Sequence, residues 1–185
     1  ALTLGDNADR VLYGYDLPGR LVSIASDNLT QRLIYGAAPS GYDVEDCYNG
    51  NLTASVTTFR RRQGAGIATA TMGMGYRYDS LNRLTSAADY ANSCYFSETY
   101  GYDSNGNILT LTRSYDDNIV QDMVTMLDGN RLTGVNDASY DDLLGEFPQI
   151  ESGSYPDAMD YDAMGNLTRD DTRHISSITY HPVIN

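Results

Sequence analysis

Apolar and polar residues alternate, or apolar residues cluster, in several short runs. Examples are Leu21-Val22-Ser23-Ile24, Ile108-Leu109-Thr110-Leu111-Thr112, Leu132-Thr133-Gly134-Val135 and Ile175-Ser176-Ser177-Ile178-Thr179-Tyr180. A period of two puts one set of side chains on one face of a strand, so these runs predict short half-buried strands. Most follow a recurring phrase: YGYDLPGRL at 13–21, YRYDSLNRL at 76–84, YGYDSNGNI at 100–108 and MDYDAMGNL at 159–167, with a degenerate copy, VTMLDGNRL, at 124–132. A partial copy, CYNGNLTASV, lies at 47–56. Helical periodicity is weak throughout; the best helical candidates, around Ile119–Met126 and Tyr140–Phe147, are short and do not make a helix the expected element. Segments 37–46, 62–74 and 136–158, rich in Gly, Ala, Ser, Asp and Pro, read as longer loops.

The phrase itself predicts a β-hairpin. Tyr13 and Tyr15, two apart, share a strand face. Asp16 stands three residues before Gly19, which suits a type I turn whose first carboxylate accepts backbone N–H groups. Pro18 fits that turn poorly at its third position. Gly19 supplies the left-handed residue of a bulge, and Leu21 begins the outgoing strand. In the other copies the turn pairs are Asp79 with Asn82, Asp103 with Gly106, and Asp162 with Gly165. Asn130 occupies the same place at 124–132, beside Asp128-Gly129, and Asn tolerates the left-handed region best after Gly. The Leu or Ile after each turn falls at 21, 52, 84, 108, 132 and 167, an interval typical of repeat arrays. The expectation is one all-β domain over 1–185, with hairpin units around 13–24, 47–56, 76–87, 100–112, 124–135 and 159–180 laid side by side in a curved or partly wrapped antiparallel sheet.

Composition sharpens this picture. Sixteen Tyr against three Phe and no Trp suit pleated surfaces whose rings pack while their hydroxyls find partners. Net charge is −13 and every basic residue is Arg, which disfavours binding to nucleic-acid phosphates. The single basic cluster, Arg60-Arg61-Arg62, reads as a solvated hairpin tip. No apolar run is long enough to span a membrane as a helix.

The phrase Tyr-x-Tyr-Asp-x-x-Gly-Arg/Asn-Leu-Thr resembles the RHS (YD) repeat of bacterial RHS proteins, ABC-toxin shell components and teneurins. The order YNGNLTA (48–54), YRYDSLNRLTSA (76–87), YGYDSNGNI (100–108), GNRLTGVND (129–137), YDAMGNLTRD (161–170) and ISSITYHPV (175–183) is similar to RHS chains of Bacteroidetes. The resemblance implies hairpins stacked into a strip of sheet that, in large relatives, wraps into a shell around a toxin. With about six units and no match to the self-cleaving region of those relatives, neither encapsulation nor autoproteolysis carries over.

Chemistry-bearing residues are sparse. His174 and His181, with Asp171 and either Cys47 or Cys94, sketch a nucleophilic triad that sequence spacing does not bring together. Zinc would need both histidines and both cysteines without ligand-like spacing, and pairing of the two cysteines is open. Gly64-Ala65-Gly66 and Gly73-Met74-Gly75 read as loops rather than phosphate cradles. Asp6, Asp9, Asp116-Asp117, Asp141-Asp142 and Asp170-Asp171 lack the alternating pattern of a calcium loop. The Asn-Leu-Thr triplets at 28, 51 and 166 match a glycosylation pattern, but two of them belong to the repeat. No enzyme activity, metal or cofactor is expected. The leading expectation is a non-enzymatic structural and interaction module, part of an RHS-type shell or surface scaffold linked to a polymorphic toxin system. Its open sheet edges would recruit a protein partner or a second copy. The alternative is a carbohydrate-binding module, in which Tyr13, Tyr15, Tyr76, Tyr78, Tyr100, Tyr102 and Tyr161 stack on sugars rather than on neighbouring repeats. Family and composition together lead to an expected secreted, periplasmic or cell-surface location, with no signal peptide within these residues.

Overall fold

The computed structural model describes residues 2–3, 10–63, 66–90, 96–116, 118–138 and 153–180. Asp6, Asp9, Gly64, Ala65, Cys94, Asp117, Asp141, Asp142, His181 and the helical candidate at Tyr140–Phe147 lie outside them. The chain divides into two compact units, Ala1–Ser97 and Glu98–Asn185.

The first unit holds β1 (Leu2–Thr3), β2 (Arg10–Tyr15), β3 (Leu21–Ala25), β4 (Leu29–Gly36), β5 (Cys47–Gln63), β6 (Gly66–Tyr78) and β7 (Leu84–Asp89). Each pairs antiparallel with the next, so order in the sheet is order in the chain. The second unit repeats the plan with β8 (Phe96–Tyr102), β9 (Ile108–Tyr115), β10 (Asn118–Asp128), β11 (Arg131–Asp137) and β12 (Gly153–Tyr155). A separate hairpin there joins β13 (Met159–Tyr161) to β14 (Leu167–Asp170), followed by a 3-10 turn at Asp171–Arg173. The expected all-β array of side-by-side hairpins is what the chain forms.

Register explains why the phrase recurs. Tyr15 faces Leu21, Tyr78 faces Leu84 and Tyr161 faces Leu167, each pair preceded by a one-residue register shift. That shift is a β-bulge, and it aims the strands into the turn. Gly19, Asn82, Gly106 and Gly165 all have positive φ, between 63° and 91°. Asn130 does not. In that corner Gly129 takes the positive φ (61°), with Asp128 facing Arg131 across a two-residue loop. Glycine at the first loop position is what a type II′ hairpin demands, so the Asp-Gly signal overrides the alignment with the other copies.

Four other readings are corrected. The 47–56 copy is no compact hairpin, because Cys47–Gln63 is one continuous strand. Its corner survives in expanded form: Tyr35 faces Leu52 as Tyr15 faces Leu21, with 37–46 inserted and a wide bulge bringing Gly36 opposite Cys47. Within 62–74, residues 62–63 and 66–74 are strand, not loop, paired from Arg62↔Ile67 to Ser55↔Met74. Arg60 and Arg61 are exposed near that hairpin's end, as expected of a solvated tip. Ile119–Met126 lies within β10, whose neighbours on both sides satisfy its backbone. Within 136–158, Gly153–Tyr155 is strand as well.

Among the described residues the buried apolar set is small: Ala54, Ala87, Leu111, Val120, Val135, Ala158 and Met159. Polar residues share that interior. Thr53 is buried with its hydroxyl donating to Gly36 O at 2.8 Å. Asp89 accepts the Gly73 N–H at 2.9 Å, and Asp137 accepts the Asp122 N–H at 3.0 Å. Both end an outgoing strand that carries Leu-Thr five and four residues earlier, Leu84-Thr85 before Asp89 and Leu132-Thr133 before Asp137. Buried carboxylates persist only when hydrogen-bonded, so these aspartates hold the strand ends together.

Candidate functional site: corners, staples and a cleft

Four corners are built alike around an aspartate. The main chain closes from Asp16 N to Arg20 O, Asp79 N to Arg83 O, Asp103 N to Asn107 O and Asp162 N to Asn166 O, at 2.9–3.0 Å. One carboxylate oxygen accepts the N–H four residues on, from Arg20, Arg83, Asn107 or Asn166, at 2.8–3.0 Å. The other accepts that same residue's side chain at 2.7–2.9 Å. In three corners the first oxygen also takes the N–H two residues on, from Leu81, Asn105 or Met164. Pro18 stands at that position in the first corner and has no N–H to give. The mismatch expected from sequence therefore costs one hydrogen bond and leaves the corner intact.

These bonds favour the ionised carboxylates. Asp79 is held below the usual carboxylate range chiefly by the Arg83 N–H, Asp103 by the Asn107 amide and Asp162 by the Asn166 amide. Burial pushes Asp16 up, but its bonds to Arg20 outweigh it and the net shift is downward.

The tyrosines tie one hairpin to the next. Tyr35 donates to Leu21 O (3.2 Å), Tyr78 to Leu52 O (2.9 Å), Tyr161 to Leu132 O (2.8 Å) and Tyr180 to Leu167 O (3.0 Å). The acceptor each time is the residue that follows a turn. Arg20 lies over the Tyr35 ring at 4.4 Å and Arg131 over the Tyr161 ring at 5.8 Å, adding cation–π contacts to two staples. Tyr76 meets Ser55 Oγ at 3.0 Å, and Tyr100 donates to Glu98 at 2.6 Å. Tyr102 is half-buried, whereas Tyr13 and Tyr15 are exposed. Corner also meets corner: Asn49 and Asn51 reach Asn82, while Asn105 and Asn107 reach Asn130.

Burial first, then neighbouring charge, pushes the Tyr78 hydroxyl up to about 12; burial and then the Glu98 hydrogen bond do the same at Tyr100. Alkaline titration followed by tyrosinate absorbance is expected to show two late groups near pH 12. Tyr78→Phe is expected to remove one of them and cost about 1 kcal/mol of stability, the worth of one net hydrogen bond. An unchanged titration curve and melting temperature would show that the staple does not form.

The inserted corner of the first unit covers part of the sheet. Val44 and Tyr90 fill the space over Gly75, where a Cβ would come within 2.8–2.9 Å of them. Arg77 pairs with the Asp43 carboxylate at 2.7 Å, and Tyr90 donates to Asp43 O at 3.0 Å. Beyond this anchor the segment leaves a cleft of roughly 410 Å³, lined in part by Glu45, Asp46, Tyr48, Arg77, Tyr78 and Asp79.

Cys47, in the first unit, is a free thiol donating to Asn49 Oδ1, and His174 follows the 3-10 turn of the second; the other candidate nucleophile and base, Cys94 and His181, lie outside the described residues. Asp170 instead caps that turn and pairs with Arg173 at 2.7 Å. Among the described residues no group of three or more His, Cys, Asp or Glu is arranged to hold a metal.

No protein-family model matches the chain, and no curated protein matches it. A solved structure does: a chain in the crystal structure of TcdB2-TccC3-Cdc42, with a TM-score of 0.58 and 15% identity over 89% of this chain. The match spans 7% of that much longer chain. It shows a shared fold. Nothing in it bears on a Bacteroidetes origin.

Proposed function

We propose that the chain is a non-enzymatic structural and interaction module, a segment of an RHS-type β shell or surface scaffold tied to a toxin system and acting outside the cytoplasm. The observation that carries this reading is the staple. The turn aspartates are spent on closing corners, and the hydroxyls of Tyr35, Tyr78, Tyr161 and Tyr180 on joining one hairpin to the next. A repeat whose signature residues serve stacking is a construction element. Its open strands and uncovered apolar side chains favour association with a second copy or a protein partner. Phe59 and Met72 are diagonal neighbours on one face of β5–β6, and both are exposed.

Solution mass measured across a range of concentrations is expected to rise above 20.3 kDa, or pull-down from the native host to recover a protein partner. A monomer at every concentration with no partner recovered would overturn the reading. Carbohydrate binding draws its support from the exposed Tyr13 and Tyr15 rings. A glycan array gives saturable binding, lost in Tyr13→Ala/Tyr15→Ala, only if that alternative holds.

A further inference from the structure

The geometry points to the cleft beside the inserted corner as a binding site for an organic cation, a guanidinium or alkylammonium group. The site exists because the corner between β4 and β5 carries an insertion where the Asp16 and Asp79 corners are tight. The insertion is pinned at Asp43 and Val44, then stands away from the ends of β6 and β7 before re-entering the sheet at Cys47. Its volume, roughly 410 Å³, falls within the range of small-ligand pockets.

Charge decides the class of ligand. The lining includes the acids Glu45, Asp46 and Asp79 and the base Arg77. Arg77 is already matched by Asp43, and Asp79 by Arg83 at 2.7 Å. Among the described residues the Asp46 carboxylate receives only neutral donors, the Ala38 N–H at 2.8 Å and the Tyr48 hydroxyl at 3.1 Å, so none of them cancels its charge. Glu45 is exposed and makes no hydrogen bond or ion pair among the described residues. Two negative charges therefore remain at the mouth of a cleft whose lining also includes Tyr48, Tyr76 and Tyr78. Carboxylates beside aromatic rings suit a flat or tetrahedral organic cation with an aliphatic stem. An anion would meet uncancelled like charge, and a neutral ligand would leave both carboxylates unmatched.

Two sources share this chemistry: an arginine- or lysine-bearing segment of a protein, and a free polyamine. Calorimetric titration of the whole chain with acetyl-Gly-Arg-Gly-amide, its citrulline counterpart and spermidine separates them. One-site saturation by the arginine peptide or by spermidine is expected, with the citrulline peptide at least about tenfold weaker. Tighter binding of the arginine peptide assigns the site to a protein segment, and tighter spermidine binding to a polyamine. E45Q removes an exposed charge with no structural contact, and D46N keeps an oxygen acceptor for Ala38. The double variant is expected to lose at least about tenfold in affinity at an unchanged melting temperature. E45Q alone should lose part of it, which guards against a D46N fold defect. Equal binding by the double variant, equal binding of the citrulline peptide, or no saturable binding of either cation would overturn the assignment. These outcomes are independent of solution mass, so the scaffold reading stands or falls separately.

Discussion

Gly134→Ala is expected to destabilise the second unit by about 3 kcal/mol, the upper part of the range for overpacked interiors. Gly134 is buried in β11, and a Cβ there would lie 2.3 Å from the Tyr155 carbonyl oxygen and 3.1 Å from Asp157 N and Pro156 Cα. All three are backbone atoms of the β12 segment, so no side-chain rotation can relieve the clash; a strand must move. Gly106→Ala is the matched control. Nothing lies within 4 Å of its Cβ position, and its cost comes only from a φ of 91°, about 1 kcal/mol. Urea unfolding of both variants, with amide hydrogen exchange of β11 and β12, measures the difference. A Gly134→Ala cost no greater than the control's would mean that β12 does not pack on β11 as described.

Acid is expected to dismantle the corners together. Asp16, Asp79, Asp103 and Asp162 all titrate below their ordinary value in the folded chain, and Asp170 does so too, its burial outweighed by bonds from Thr172 and Arg173. A depressed folded value means that the unfolded state binds protons more readily. The resulting stability is fully present above the unfolded carboxylate value of about 3.9 and is lost as pH falls through the folded values. Thermal midpoints should therefore be flat from pH 7 to about pH 5 on this account, then fall steeply below pH 4. Asp103→Asn removes the titrating group and one of the two acceptor oxygens from its corner, and should flatten the acid limb while lowering the plateau. A midpoint independent of pH between 5 and 2 would refute the role given to the corner carboxylates.

The two expectations rest on residues of different legibility. Asp103 and its counterparts were readable because a turn imposes local demands: an acceptor at the first position and a residue tolerant of positive φ three places later. Those demands act within five residues and leave the same letters each time. Gly134 carries no such mark. Its turn-free φ is ordinary, and the need for a missing side chain arises from a strand some twenty residues away. The same reason hid β6. Gly73-Met74-Gly75 reads as loop because glycine weakens an isolated strand, yet Gly75 is small so that Val44 and Tyr90 can lie on it. The run Ile119–Met126 read as a helical candidate because a short apolar segment does not declare its period; pairing with β9 and β11 made it strand.

Sequence alone thus determined the secondary-structure class, the positions of four corners and the hairpin as the repeating unit, since each follows from backbone sterics and alternation. Tertiary structure decided which partner each tyrosine hydroxyl meets, that Gly129 rather than Asn130 bends the degenerate corner, and that an insertion opens a cleft bearing uncancelled carboxylates. Those outcomes depend on which residues distant in the chain are brought together, and register between strands, not local preference, sets that.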